Sequence, residues 1–168
     1  APAMAQAFRT HRWRGNLRQF LGEVLPATPH LLARNSHQYM WDMLRWKHRK
    51  LTGDESPDSA PTGLFQQELY GVDAALGRVV DYFKAASAGT EVGRRLLLLL
   101  GPPSGGKSSL VILIKRGLEE YSHTDEGALY ALEGCPVHGN PLNLIPHSLR
   151  PSFRETFGIE ITGEVSPF

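Results

Sequence analysis

One cysteine, Cys135, is all the thiol that the 168 residues contain. A lone thiol excludes an internal disulfide framework and suits a reducing compartment, so a cytoplasmic location is expected. Charge of one sign is not in excess either. Eighteen Lys and Arg stand against 17 Asp and Glu, a net charge of +1. That balance gives no reason to expect a polyanionic partner such as nucleic acid. No apolar run approaches the roughly 18 residues of a membrane span, so no membrane partner is expected. Arg9, Arg12 and Arg14 have no apolar stretch behind them of the kind a secretory signal carries. No internal repeat is present. Hydrophobic residues at 41% and charged residues at 21% are an ordinary globular balance. The length allows one modest domain, or a smaller core with an appendage.

What is present begins with residues 101–108, which read Gly-Pro-Pro-Ser-Gly-Gly-Lys-Ser and fit the phosphate-loop pattern G-x-x-x-x-G-K-[ST] at every position. Five leucines, Leu96 to Leu100, precede it and a helical pattern follows it, the strand–loop–helix context the motif requires. A triphosphate is densely anionic and must be wrapped closely. Gly101, Gly105 and Gly106 let the backbone approach and turn its N–H groups inward, with Ser104 between them. The helix starting near Lys107 directs its positive end at the same place. Lys107 is expected to reach the β- and γ-phosphates of ATP, Ser108 to ligate Mg2+ through its hydroxyl, and Ser109 to support it. Pro102 and Pro103 stiffen the loop and donate no hydrogen bond, so binding must use the later amides. The Asn-Lys-x-Asp guanine reader of GTPases is absent, which favours ATP over GTP.

The surrounding pattern predicts three segments. Residues 1–50 read as a small helical appendage. Leu17, Phe20, Leu21 and Val24 fall at helical spacing until Pro26 and Pro29, and Asn35 or Ser36 can cap a second helix carrying Tyr39, Met40, Met43 and Leu44. Residues 51–63, rich in Gly, Pro, Ser and Asp, read as a linker. Residues 64–168 read as the nucleotide-binding part. There Val72, Ala75, Leu76, Val79, Val80 and Phe83 form an amphipathic stripe. Residues 95–100 are expected as a strand covered on both faces, residues 107–121 as a helix, residues 128–132 as a second strand, and residues 147–157 as a short helix. Helix, strand, loop, helix, strand predicts a three-layer α/β core of the P-loop NTPase type, incomplete here.

From Leu69 onward the residues resemble one family, the PrkA-type serine protein kinases, whose N-terminal part is an AAA+ ATPase module. The resemblance rests on Leu69-Tyr70-Gly71-Val72-Asp73, Val79-Val80-Asp81-Tyr82-Phe83-Lys84 and the loop through Leu110. It continues in Cys135-Pro136-Val137-His138, Pro141-Leu142-Asn143-Leu144-Ile145-Pro146, Phe157-Gly158-Ile159 and Gly163-Glu164-Val165-Ser166-Pro167. It covers about two-thirds of the chain. The phosphate loop alone would say only P-loop NTPase; the Cys-Pro-x-His element followed by Leu-Ile-Pro makes the likeness specific. The resemblance implies ATP and Mg2+ as ligands, self-association as a ring, and a protein substrate met through a kinase-like C-terminal region that this chain lacks. It implies that the chain is a fragment. It also implies that Tyr70, Gly71 and Val72 line the base pocket, the alternative being that they only open the helix.

Hydrolysis in such proteins needs a second acidic motif, four apolar residues followed by Asp-Glu, to hold the magnesium shell and activate water. Ile159-Glu160-Ile161-Thr162 is the nearest approach and does not fit. This chain alone is therefore expected to bind ATP without hydrolysing it efficiently. Two other readings stay open. One is a small P-loop phosphotransferase acting on a metabolite, which would need a lid of arginines for which Arg150 and Arg154 are the late candidates. The other is a non-catalytic interaction module ordered by ATP.

Cys135 and His138 have a spacing seen in zinc sites, with His123 and His147 nearby in sequence. A closed site wants four ligands, so a turn with a buried thiol is the better reading. Two basic–aromatic runs, Arg9 to Arg18 and Arg45 to Lys50, read as solvated helix faces rather than nucleic-acid surfaces.

Overall fold

The computed structural model describes residues 13–54, 73–100 and 106–167. In chain order these form α1 (Leu17–Gln19), a π turn (Phe20–Val24), α2 (Leu25–Ala27), α3 (Pro29–Leu32), α4 (Ser36–Thr52), α5 (Asp73–Ser87), a 3₁₀ turn (Glu91–Arg94) and α6 (Lys107–Ser122). Two more 3₁₀ turns, Pro141–Leu144 and His147–Leu149, lead to α7 (Arg150–Phe157). The chain divides into two compact units, one of residues 35–124 and one of residues 1–34 with 125–168.

The unit of residues 35–124 contains the candidate site. Asn35 starts α4 by a reciprocal cap. Its side chain accepts from the Gln38 amide at 2.9 Å, and Gln38 Oε1 accepts from the Asn35 amide at 2.9 Å. Gly53 ends the helix in the left-handed region, φ 70°. Met43 and Leu44 of α4 are fully buried against Leu76, Val79 and Val80 of α5 and Leu110, Leu113 and Tyr121 of α6. Burying each large side chain contributes about 1.5–3 kcal/mol. The run from Arg45 to Lys50 is drawn into this packing. His48 is buried, Trp46 lies 5.6 Å from the Tyr121 ring, and Lys47 and Lys50 reach Glu120 at 3.8 and 3.7 Å.

The expected three-layer α/β core is corrected here. Among the described residues there is no strand and no sheet. Residues 96–100 have no regular secondary structure, and their burial alternates. Leu97 and Leu99 pack on the core, whereas Leu96, Leu98 and Leu100 are 88%, 65% and 83% exposed. The Tyr82 hydroxyl donates to the Arg95 carbonyl at 3.0 Å and ties the start of the segment to α5. The apolar run reports a capacity to be covered on two faces. A strand exists only in a ladder, with a neighbouring backbone to pair each N–H and C=O. The elements packed on this segment are helices, which cover one face and offer no ladder. Residues 128–132, expected as a second strand, are likewise not a strand; the Leu132 amide bonds the Gly139 carbonyl at 3.0 Å within a loop.

In the other unit, Asn16 and Gln19 form a second reciprocal cap at α1. The helix then widens to a π turn immediately before Pro26. Proline lacks an N–H and crowds the carbonyl four residues back, and the wider turn accommodates both. Phe20, Leu25, Leu142, Ile145, Ile159 and Ile161 make this unit's core. The short helix expected over residues 147–157 is a 3₁₀ turn followed by α7, whose second residue is Pro151.

Candidate nucleotide site

Gly106 is where the loop becomes helix. Its backbone is left-handed, φ 76° and ψ 0°, a conformation that costs glycine nothing and other residues something. Its carbonyl already accepts from the Leu110 amide at 2.9 Å. With no side chain, Gly106 cannot cap the first-turn amides of α6, and no acidic residue lies in that turn. The sixteen-residue helix is fixed by Leu110, Leu113, Gly117 and Tyr121, all buried. Gly117 permits the close approach of α4: a Cβ there would meet Met43 Sδ at 2.8 Å.

Lys107 is half-buried at the first helical position, and Ser108 and Ser109 follow it, both exposed. Lys107 borders two depressions. One, of about 200 Å³, lies between α5, the Leu97–Leu100 segment and the start of α6, with Ala75, Arg78, Val79 and Leu110 among its walls. The other, about 430 Å³ and open, is bordered by Leu99, Ser108, Val111 and Ile112. A cation, the Ser108 hydroxyl and a helix start that Gly106 does not cap thus meet beside apolar walls. Gly106, Lys107 and Ser108 border these depressions, and Ser109, next in the helix, lines neither. Gly101, Ser104 and Gly105 of the loop, Tyr70, Gly71 and Val72 of the expected base pocket, and residues 55–63 of the expected linker lie outside the described residues. Arg78 escaped the sequence reading. Its signal was an arginine set between Ala75 and Val79 of an otherwise apolar stripe.

A larger depression of about 540 Å³ lies in the other unit, walled by Trp13, Phe20 and Tyr130. Tyr130 meets Phe20 and Trp13 edge to face at 5.4 and 5.7 Å, and Trp13 tilts against Phe20 at 6.1 Å. Its charged residues, Arg14 and Glu133, are bonded to each other; Arg14 Nε donates to Glu133 Oε2 at 3.0 Å. That hydrogen bond, then the guanidinium charge, holds the Glu133 carboxyl below the usual carboxylate range. With its cation already spent on a carboxylate, this depression offers little to a phosphate.

The remaining sequence candidates fall elsewhere. Cys135 is buried, and the His138 amide donates to its carbonyl at 3.1 Å in a turn that gives His138 φ 48°. Among the described residues no three His, Cys, Asp or Glu side chains cluster as metal ligands would. Arg150 is no lid arginine. Its guanidinium donates to the carbonyls of Ile145, Ile161 and Gly163 and fastens the segment after α7. Arg154 is exposed on α7.

A phosphate-loop signature opening onto a buried, well-anchored helix defines the class: a P-loop module. Residues 37–168 match the family model "PrkA AAA domain", and the chain belongs to that family. It is 42% identical over 158 residues to a Bacillus subtilis protein named "ATP-dependent protease PrkA", which covers 93% of this chain and 24% of that protein. It is 45% identical over 49 residues to the "Serine/threonine kinase YeaG" of Escherichia coli K12, covering 29% of this chain and 8% of that protein. The chain thus spans about a quarter or less of the length of these relatives. No solved structure matches it. Membership of an AAA family carries nucleotide binding as its general property. No helix among the described residues is long and apolar enough to cross a membrane.

Proposed function

We propose that this chain is the ATP-binding module of a PrkA-type serine protein kinase, using bound nucleotide to regulate or assemble a kinase part beyond its own residues. The observation that carries the reading is the start of α6, where left-handed Gly106 leads into Lys107 and Ser108 at the head of a buried-face helix. Those donors suit the group. Lys107 neutralises the β- and γ-phosphates, backbone N–H groups from Gly101, Ser104, Gly105 and Gly106 onward donate to the phosphate oxygens, and Ser108 supplies a hydroxyl to Mg2+ with Ser109 in support. Bound Mg2+ would neutralise phosphate charge and fix the triphosphate's orientation. Tyr70, Gly71 and Val72 face the base in this reading. Assembly as a nucleotide-bridged ring, a protein substrate and a cytoplasmic location belong to the same proposal.

Lys107→Ala removes the cation facing the distal phosphates. Its ATP affinity, measured by calorimetric titration with Mg2+, should fall tenfold or more, about 1.4 kcal/mol or above. Equal affinity in the two proteins would sink the assignment. The similarity to a protein named as an ATP-dependent protease supports the nucleotide module equally and leaves the kinase role to a phosphotransfer assay.

A further inference from the structure

Lys107 shares its smaller cavity with a second cation. Arg78, in the middle of α5, borders the same space of about 200 Å³. Its guanidinium has no ion pair or hydrogen bond among the described residues. The other walls used here, Val79, Leu99 and Leu110, are apolar, and no described carboxylate lines the cavity. A guanidinium without a carboxylate partner beside low-dielectric walls attracts an anion. The cavity is below the roughly 300–1,000 Å³ that takes a whole small ligand, so it suits one part of a ligand. A flat apolar ring inside, with an anionic group at the mouth, satisfies both walls and charges.

Resting on the nucleotide reading above, we infer that Arg78 holds the phosphate nearest the base, while Lys107 serves the distal phosphates. The ring occupies the apolar interior and the phosphate chain leaves it toward Gly106 and Lys107. Arg78 is exposed at the margin, where that chain passes. A guanidinium presents two parallel donors to a phosphate, which an ammonium cannot.

The test is displacement of a fluorescent ATP analogue from the 168-residue chain by ATP, ADP, AMP and adenosine, in wild type, Arg78→Ala, Arg78→Lys and Lys107→Ala. Arg78→Ala should weaken ATP, ADP and AMP by one common factor of about tenfold and leave adenosine unchanged. Arg78→Lys should recover part of the loss. Lys107→Ala should weaken ATP and ADP and spare AMP. An unchanged melting temperature without nucleotide accompanies the loss, because the side chain is exposed. If Arg78→Ala binds ATP as wild type does while Lys107→Ala is impaired, Arg78 has no such role and the nucleotide reading stands. An equal loss for adenosine would place Arg78 on the base and overturn the phosphate assignment. Failure of wild type to bind any of the four would overturn the nucleotide reading itself.

Discussion

At the scale of single residues, the position with the sharpest consequence is Gly117. It lies in the middle of α6, where glycine is worth about 1 kcal/mol less than alanine. It is there because Met43 Sδ occupies the space a side chain would take, with Lys47 Cδ 3.8 Å away. Gly117→Val should therefore cost roughly 1–3 kcal/mol in urea denaturation, since the extra methyl groups overpack the contact between α4 and α6. Gly117→Ala should fall near zero, the helix-propensity gain offsetting the displacement of Met43. A wild-type midpoint for the valine variant would mean that the two helices do not approach this closely. None of this is visible in the sequence, where Gly117 reads as an ordinary weak point of a helix. The residues of the phosphate loop are the opposite case. Their spacing carries their chemistry, so Lys107 and Ser108 could be singled out before their surroundings were known. Arg78 could not, because a cation gains a role only from the wall it faces.

At the scale of elements, helices were legible and strands were not. Periodicity and caps are local, and both partners of a cap lie within three residues of each other. Asn35 illustrates this: the sequence offers Asn35 or Ser36 as the cap of α4, and the structure uses Asn35, with Gln38 returning the bond. Asn35→Ala should destabilise the chain by about 1 kcal/mol, as the loss of a helix cap typically does. Gln38→Ala should cost less, because it removes only the return bond. Thermal unfolding of the two variants checks the order, and an Asn35→Ala midpoint equal to wild type would mean the cap contributes nothing. Residues 95–100 and 128–132 show why the strands failed. Their apolar character was read correctly, but a ladder requires a second backbone, and sequence windows do not contain it. The π turn before Pro26 was also hidden, since apolar spacing at Leu17, Phe20, Leu21 and Val24 fits a wide turn as well as a narrow one.

At the scale of the whole molecule, the question is whether a nucleotide bound as proposed would be turned over. Hydrolysis needs a carboxylate to polarise the attacking water and another to complete the magnesium shell. The 168 residues contain no run of apolar residues ending in Asp-Glu. Two acids of the unit of residues 35–124 are engaged elsewhere. Glu120, at the far end of α6 from Lys107, is engaged with Lys47 and Lys50, and Asp54 lies beside His48. No acidic residue lines either depression that Lys107 borders among the described residues. On the proposed reading binding and turnover separate: Lys107, Ser108 and the start of α6 are the binding groups, and no described acidic residue lines the depressions beside them to activate water. Steady-state phosphate release from Mg-ATP should be far below about 1 per second, the low end of ordinary enzyme rates. It should remain so at ATP concentrations that saturate binding, because the deficit lies in the chemical step. Lys107→Ala would then reduce affinity without altering an already negligible rate at saturation. Release near 1 per second, abolished by a single Asp or Glu substitution, would reveal a catalytic acid that neither the motif pattern nor the site geometry has identified.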